Sequence, residues 1–338
     1  MAQRQDGPAL PLYLSEPGRA VADYGLYLAA WPLAQRLPRG DGHSVIVLPG
    51  LLADDISTRA LRTVLRRLDY DVHGWGLGRN IGPTAPCVKG IRDLLSRLTD
   101  RHGKPVTMIG WSLGGIFARD LARRSPESVR QVITLGSPFR LARHSQSRAT
   151  KVFDRFSHLH VEHRTLPLES ESTPLPTPAT SIYSHFDGIV HWQTCLDTPS
   201  ASCENIAVMA SHLGLGHHPA SIWAIADRLA QPEGTWKPFK APLFLRPAFP
   251  KPAQPAPTAR SPRRAPPPER LSTCGRLDRP RPDNKSAKRC RRERSTRDER
   301  VTPVDRSGDI SRAEVRRGPR ACTFQRMFPV TNTLGGRS

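Results

Sequence analysis

The stretch PVTMIGWSLGGIFA, at residues 105–118, limits the possible folds of this chain more than any other. An apolar run ends at Ser112, and a helical pattern begins directly after it. Gly110 and Gly114 lie two positions on either side of this serine, where a Cβ atom would clash in a tight strand-to-helix turn. The stretch therefore predicts a strained turn that lifts the Ser112 hydroxyl out of a sheet.

Short apolar runs alternate with helical patterns on both sides of this turn. The predicted strands are SVIVL from Ser44, Tyr70–Trp75, Val106–Ile109, Gln131–Leu135, Thr180–Tyr183 and Asn205–Met209. Helical spacing of apolar residues follows Ser57, and further helices are predicted from Thr84 to His102 and from Pro219 to Ala230. Alternation of this kind is typical of a mostly parallel, doubly wound α/β sheet with right-handed crossovers.

Composition divides the chain into three parts. Residues 1–43 form an N-terminal segment with a predicted amphipathic helix from Gly18 to Leu37, and residues 44–239 form the predicted sheet domain. Within that domain, residues 139–178 lack a sheet pattern and are expected to form a lid-like insertion. Residues 240–338 are rich in proline and arginine and are expected to be disordered, because they cannot bury enough apolar surface.

The net charge of +21 is concentrated in this C-terminal segment. Residues 240–338 carry a net charge of +16, whereas the preceding 239 residues carry only +5. Clustered arginines attract phosphates, so one alternative function is a basic-tailed protein that attaches to nucleic acid or to anionic lipid. The nearly neutral remainder argues against nucleic acid as the main partner, except through non-specific contact with the tail.

Serine is a weak nucleophile unless an imidazole accepts its proton and a carboxylate orients that imidazole. Asp187 directly follows one late strand, and His212 follows the next. Because the carboxyl ends of parallel strands meet at one edge of a sheet, Ser112, Asp187 and His212 are expected to lie close together. Their order along the chain is the order found in enzymes with a nucleophile elbow.

Other histidines and carboxylates lie nearby in sequence: His185, His191, His217, His218, Asp197 and Glu204. His212 is preferred because it directly follows a strand, and Asp187 because Gly188 can turn the chain after it. His217 and His218 are the main alternatives to His212, although they can instead line a pocket or cap the following helix. The choice between these histidines stays open at this point.

The motifs GWSLGG, SHFDGIVHW and SHLGLGHHP, together with the alternation, resemble the α/β-hydrolase superfamily. The resemblance covers about residues 44–232 and is strongest to bacterial lipase- and esterase-like members related to enzymes that deacylate glycolipid anchors. It implies an α/β-hydrolase fold. One departure is Pro49-Gly50, where many lipases carry His-Gly.

The same resemblance assigns a role to each residue of the predicted site. It implies that Ser112 is the nucleophile, Asp187 the acid and His212 the base. It further implies that the backbone N–H groups of Leu51 and Leu113 form the oxyanion hole. The expected activity is hydrolysis of a carboxylic ester, from a small molecule or a lipid, through an acyl-enzyme intermediate. A catalytically inactive binding protein with the same fold is an alternative.

Neither a metal nor a cofactor is expected. The sequence contains no H-E-x-x-H or C-x-x-C motif and no glycine-rich phosphate loop. The six cysteines are interpreted as free thiols, with a bridge between Cys195 and Cys203 as the alternative in an oxidising compartment. The first residues lack the pattern of a secretory signal. We therefore expect a cytoplasmic protein, with peripheral contact between the N-terminal helix and a membrane as a further alternative.

Overall fold

The computed structural model describes residues 7–140, 144–161 and 174–253. A six-stranded sheet lies at its centre, in the order β2-β1-β3-β4-β5-β6, and every neighbouring pair is parallel. The strands are β1 Ser44–Leu48, β2 Asp71–Gly74, β3 Val106–Trp111, β4 Val129–Leu135, β5 Ala179–Tyr183 and β6 Cys203–Ala207. The predicted parallel α/β sheet is therefore confirmed, with strand ends that differ by one or two residues from those expected.

Helices cover both faces of this sheet. They are α1 Leu10–Ala29, α2 Arg59–Arg67, α3 Ala85–His102, α4 Leu113–Arg124, α5 Thr150–Arg155 and α6 Pro219–Leu229. Successive side chains of β1 point to opposite faces of the sheet and so enter different layers of the core. Val45 and Val47 pack in a cluster with α2 and α6, whereas Ile46 and Leu48 pack in a cluster with α3 and α4. The sheet is doubly wound, as expected.

The N-terminal helix differs from the prediction of Gly18–Leu37. Helix α1 begins at Leu10 and ends at Ala29, and a separate 3-10 helix follows over Trp31–Arg36. Pro11 lies in the first turn of α1, where the missing N–H has no helical acceptor in any case. Pro17 is accommodated inside the helix, so it does not mark the helix start.

Helix α1 also buries carboxylates and exposes several of its large apolar side chains, which is largely the reverse of the usual amphipathic pattern. Its buried face carries Glu16 and Asp23, which are 2% and 7% exposed, and Tyr27 near its C-terminal end. Its outer face carries Leu14, Val21 and Leu28, which are 67%, 74% and 57% exposed. Among the described helices, none is long and apolar enough to cross a membrane.

The described part of the predicted insertion contains α5 between two 3-10 helices, His144–Gln146 and Ser157–Leu159. Ser147 forms an isolated bridge with Val190, so this segment contacts the loop after β5. Residues 141–143 and 162–173 lie outside the described residues, and the assignment of 139–178 as a lid stays a prediction.

The packed chain continues past the predicted boundary at Phe239. A 3-10 helix covers Leu243–Ala248, and the ring of Phe249 packs against that of Phe239. The N–H of Ala253 donates to the hydroxyl of Tyr183 at 2.6 Å. Residues 240–253 therefore pack on the sheet domain rather than forming part of a disordered tail. Residues 254–338 lie outside the described residues, so the expected disorder of this segment stays a prediction.

Candidate active site

Ser112 occupies the sharp turn between β3 and α4. Its backbone has φ 50° and ψ −117°, a conformation that non-glycine residues rarely adopt. The N–H of Ser112 donates to the carbonyl of Leu135 at 2.8 Å, which ties the turn to β4. A Cβ atom at Gly110 would overlap the backbone of Gly115, and one at Gly114 would overlap the carbonyl oxygen of Leu48. The need for small residues on both sides of the serine therefore has a direct steric cause.

The loop after β1 lies against this turn. A Cβ atom on Gly50 would lie 3.3 Å from the Cβ of Ser112. Asn80, whose side chain is fully buried, donates from Nδ2 to the carbonyl of Pro49 at 2.8 Å. The backbone carbonyl of Asn80 accepts from the N–H of Leu52 at 2.7 Å. Sequence reasoning missed Asn80, because its role depends on contacts with a loop thirty residues earlier.

Leu51 and Leu113 are the predicted oxyanion-hole residues. Leu51 lies in the loop that Asn80 holds, and Leu113 is the first residue of α4. Among the described residues, neither backbone N–H has a hydrogen-bond acceptor. Leu113 also lies at a helix N-terminus, where partial positive charge stabilises an anion. Both donors are therefore available to an oxyanion.

Asp187 and His212 form a buried pair beyond the carboxyl ends of β5 and β6. Nδ1 of His212 lies 2.6 Å from Oδ2 of Asp187, and both residues are 3% exposed. An ionised carboxylate only accepts, so the Nδ1–H group donates and leaves Nε2 free to accept a proton. The other carboxylate oxygen of Asp187 accepts from the N–H groups of Ile189 and Val190 at 2.9 and 2.8 Å.

The pKa of His212 reflects opposing effects. Burial lowers the pKa, but the negative charge of Asp187 and its hydrogen bond raise it, and the charge of Glu16 adds to this increase. The net result is a pKa raised above the ordinary value. The imidazolium form is therefore stabilised, as a general base that becomes positively charged during catalysis requires.

The ends of β3 and β4 both lie close to the His212–Asp187 pair. The indole N–H of Trp111, which directly precedes Ser112, donates to the carbonyl of His212 at 3.1 Å. Gly136, which follows β4, has φ +54°, and a Cβ atom there would lie 3.1 Å from Nδ1 of His212 and 3.2 Å from Oδ2 of Asp187. The structure thus brings Ser112, Asp187 and His212 to one edge of the sheet.

The alternative histidines have other contacts. His218 caps α6, because its Nδ1 accepts from the N–H of Ala220 at 3.2 Å. Nε2 of His217 lies 3.3 Å from the carbonyl oxygen of Ala20. Burial lowers the pKa of each of these histidines, as it does for His185 and His191. None of these features favours them as the base.

The alternative carboxylates are held in ion pairs. Asp197 binds Arg119 at 2.6 Å in the interior, and Arg119 also lies over the ring of Phe139. Glu204 binds Arg228 and accepts from the N–H of Phe239 at 2.8 Å. Both carboxylates therefore have structural partners away from His212.

The described cysteines, Cys87, Cys195 and Cys203, are all buried, and Cys195 and Cys203 are free thiols. The alternative bridge between Cys195 and Cys203 is therefore absent. Within residues 7–140, 144–161 and 174–253, no group of three or more His, Cys, Asp or Glu side chains is arranged to hold a metal ion.

Comparison with known proteins gives a short sequence match and several distant structural ones. No family model matches the chain. A stretch of 144 residues is 35% identical to part of the polyketide synthase ThaQ of Burkholderia thailandensis, and covers 39% of this chain and 7% of that protein. Aspergillus fumigatus lipase B is 16% identical with a TM-score of 0.45, over 56% of this chain and 53% of that one.

Two further solved structures are similar to this chain at a comparable level. The thioesterase domain from the curacin biosynthetic pathway is 11% identical with a TM-score of 0.39, over 58% of this chain and 93% of that one. The mouse alpha/beta hydrolase domain-containing protein 10 is 18% identical with a TM-score of 0.39, over 56% and 88%. The class of the fold rests on the chain's own sheet order and on the strained serine between β3 and α4, which define an α/β-hydrolase fold.

Proposed function

We propose that this protein is a serine hydrolase that cleaves a carboxylic ester. The observation that carries the proposal is the buried pair of His212 and Asp187, 2.6 Å apart, at the sheet edge where the strained turn presents Ser112. A buried histidine with a raised pKa, beside a carboxylate and near a strained turn that carries a half-buried serine, is the arrangement that acyl transfer requires.

The residues have defined roles in this mechanism. Oγ of Ser112 attacks the ester carbonyl, while Nε2 of His212 takes the hydroxyl proton and Asp187 stabilises the resulting imidazolium. The N–H groups of Leu51 and Leu113 bind the oxyanion of the tetrahedral intermediate. Collapse of the intermediate breaks the bond to the alcohol, which leaves with the proton from His212. Water then attacks the acyl-enzyme by the same steps, and the carboxylic acid is released.

Exposed apolar residues adjacent in sequence to the site residues support an apolar acyl group. Leu52, Phe186 and Leu213 are all exposed, and each lies one residue from Leu51, Asp187 or His212. Apolar side chains around a few polar groups are typical of small-molecule sites. We therefore propose an ester with an apolar acyl chain as the substrate, from a lipid or a small molecule.

The proposal is tested by hydrolysis of p-nitrophenyl esters of increasing acyl length. The wild type should turn over at least one of them, with an optimum that identifies the acyl length, and Ser112→Ala should lose nearly all of the activity. Ser96→Ala, at an exposed position of α3, is the matched control and should behave as wild type. A well-folded wild type that cleaves no ester, or an active Ser112→Ala variant, would contradict the proposal.

A second substrate class is an acyl thioester. The resemblance of part of the chain to a polyketide synthase favours including it, and an acyl-enzyme on Ser112 forms from an ester or a thioester in the same way. An S-acyl N-acetylcysteamine series with the same acyl chains is the direct comparison. A kcat/KM at least tenfold higher for the thioester than for the matched ester would favour this class.

A further inference from the structure

Helix α1 contacts both loops that carry the proposed acid and base. Glu16 is 2% exposed, and its Oε1 accepts from the N–H of Gly188 at 2.6 Å and from the N–H of His212 at 3.1 Å. Its Oε2 accepts from the N–H of Leu213 at 3.2 Å. A single carboxylate therefore joins the residue after Asp187 to the backbone of His212.

A second carboxylate on the same face of α1 holds the residue before His212. Asp23 accepts from the backbone N–H of Ser211 at 2.9 Å and from its hydroxyl at 2.6 Å. Glu16 and Asp23 are seven residues apart, which is close to two helical turns, so they lie on the same side of α1. Both point towards the loop after β6.

Arg19 extends these contacts to the other loop. Its Nη2 lies 2.8 Å from Oε1 of Glu16, and its Nη1 donates to the carbonyl of Phe186 at 2.7 Å. The loop after β5 is therefore held on both sides of Asp187, at Phe186 by Arg19 and at Gly188 by Glu16. The charge of the buried Glu16 is balanced by Arg19 and by three backbone N–H groups, as a buried carboxylate requires.

Two glycines make room for α1 at these loops. A Cβ atom on Gly188 would overlap the carbonyl oxygen of Leu12 and lie 2.8 Å from Cγ of Glu16. A Cβ atom on Gly214 would overlap the carboxylate of Asp23. Neither glycine has a positive φ, so close approach of the helix, rather than a turn, explains Gly188.

We propose that α1 is part of the active site, and that Glu16 is the positioning residue that fixes the loop of Asp187 relative to the loop of His212. Asp23 supports it by fixing Ser211. The inference rests on the proposed function, because it specifies what holds the acid and the base of that mechanism in place. For this helix the sequence suggests packing on the sheet, a place at a pocket mouth, or membrane contact, and it identifies neither Glu16 nor Asp23 as part of the site.

Several charged groups face His212. Asp187 approaches from the loop after β5, and Glu16 from α1 together with its partner Arg19. Asp23 binds the neighbouring Ser211, and it also faces His217 and His218 at the start of α6. The negative charge of Glu16 contributes to the raised pKa of His212. Removing that charge should therefore lower this pKa.

The test is Glu16→Gln in the full chain, a variant of nearly unchanged shape without the charge. The rate of Ser112 labelling by a fluorophosphonate is measured against pH. In this variant we expect the high-pH plateau to fall about tenfold, because the acid and base loops lose part of their alignment. The acid limb, which reports the titration of His212, should move to lower pH. Glu16→Ala should lower the plateau about 100-fold.

Glu127→Gln, at an exposed position after α4, is the matched control and should keep the wild-type plateau and acid limb. A changed acid limb with an unchanged plateau would mean that Glu16 acts by charge alone, and would overturn the positioning role. A lower melting temperature with the wild-type plateau and limb would mean that Glu16 only stabilises the fold, which would also overturn it.

The titration of His212 by NMR separates this inference from the proposed function. A wild type that reacts with no fluorophosphonate contradicts the proposed function. Even without labelling, the Nδ1–H proton and the ring resonances of His212 can be recorded in the wild type and in Glu16→Gln, and they report the contact with Asp187. Loss of that proton signal and a lowered pKa in Glu16→Gln support the inference, and identical titrations of wild type and variant overturn it.

Discussion

The candidate site is built from two regions that differ in how they reach it. Ser112, Asp187 and His212 follow β3, β5 and β6, and the parallel sheet brings them to one edge. Glu16 and Asp23 come from α1, which precedes every strand, and they bind backbone groups around the proposed acid and base. In the proposed mechanism the sheet supplies the reacting side chains, and we propose that α1 fixes the loops that carry them.

If both proposals hold, a reactive group and the contacts that align it have separate origins in one chain. The end of a strand fixes only the approximate position of a side chain in the loop that follows. Other contacts must then hold that loop in one conformation. Here those contacts are carboxylate to backbone N–H bonds, which are charge-assisted and directional. Changes in the first region should therefore abolish the chemistry, and changes in the second should reduce its efficiency.

The largest effect in this comparison is expected for Asp187→Asn. The activity should fall about 10,000-fold, because the neutral amide neither orients nor stabilises the imidazolium of His212. The negative charge of Asp187 raises the pKa of His212, so the acid limb of the residual kcat/KM should move to lower pH. A pH–rate profile of the variant measures both changes.

Asp197→Asn is the control for that variant, because Asp197 is also buried but binds Arg119. Breaking this buried ion pair should lower the free energy of unfolding by about 3–5 kcal/mol and leave the acid limb where it is in the wild type. Equal losses of activity in both variants, without a changed limb, would mean that Asp187 is structural.

An intermediate effect is expected for Gly188→Ala, which acts on the contact between the two regions. The new methyl group would overlap the carbonyl oxygen of Leu12 and crowd Glu16, so α1 must move away from the loop of Asp187. We expect kcat/KM to fall about tenfold and the free energy of unfolding to fall by about 1–3 kcal/mol. Ester hydrolysis and denaturant unfolding measure these changes, and wild-type values of both would contradict the close contact.

The smallest effect is expected for Gly25→Ala, on the outer side of α1. A Cβ atom there has nothing within 4 Å, and alanine favours a helix interior over glycine by about 0.5–1 kcal/mol. The free energy of unfolding should therefore rise by that amount, and kcat/KM should not change. Loss of activity in this variant would show that the outer face of α1 also serves the site.

The sheet-borne part of the site could be predicted because its signals are local. Gly110 and Gly114 flank Ser112 at fixed spacing, and Asp187 and His212 each follow an apolar run. The parallel sheet follows from the alternation of such runs with helical patterns. The structure confirms the fold and brings Ser112, Asp187 and His212 to one edge of the sheet, whereas their catalytic roles stay a prediction.

The part carried by α1 could not be predicted, because a helical pattern does not show which face is buried. Leu14, Val21 and Leu28 are apolar, so the pattern indicates that they face the core, whereas they are exposed and Glu16 is buried. The partners of Glu16 are N–H groups about 170 to 200 residues away. Asn80 is similar, since only the fold brings it to the loop of Leu51. Which face of α1 is buried, and what that face contacts, appears only in the tertiary structure.

The central claim is that Ser112 is an activated nucleophile. The most direct measurement is reaction of the full chain with a fluorophosphonate, followed by mass spectrometry of the peptides, for the wild type and for Ser112→Ala. We predict a single adduct on the peptide that contains Ser112, and none in the variant, although both proteins melt at the same temperature. A folded wild type without an adduct, or an adduct that persists in the variant, would contradict the account.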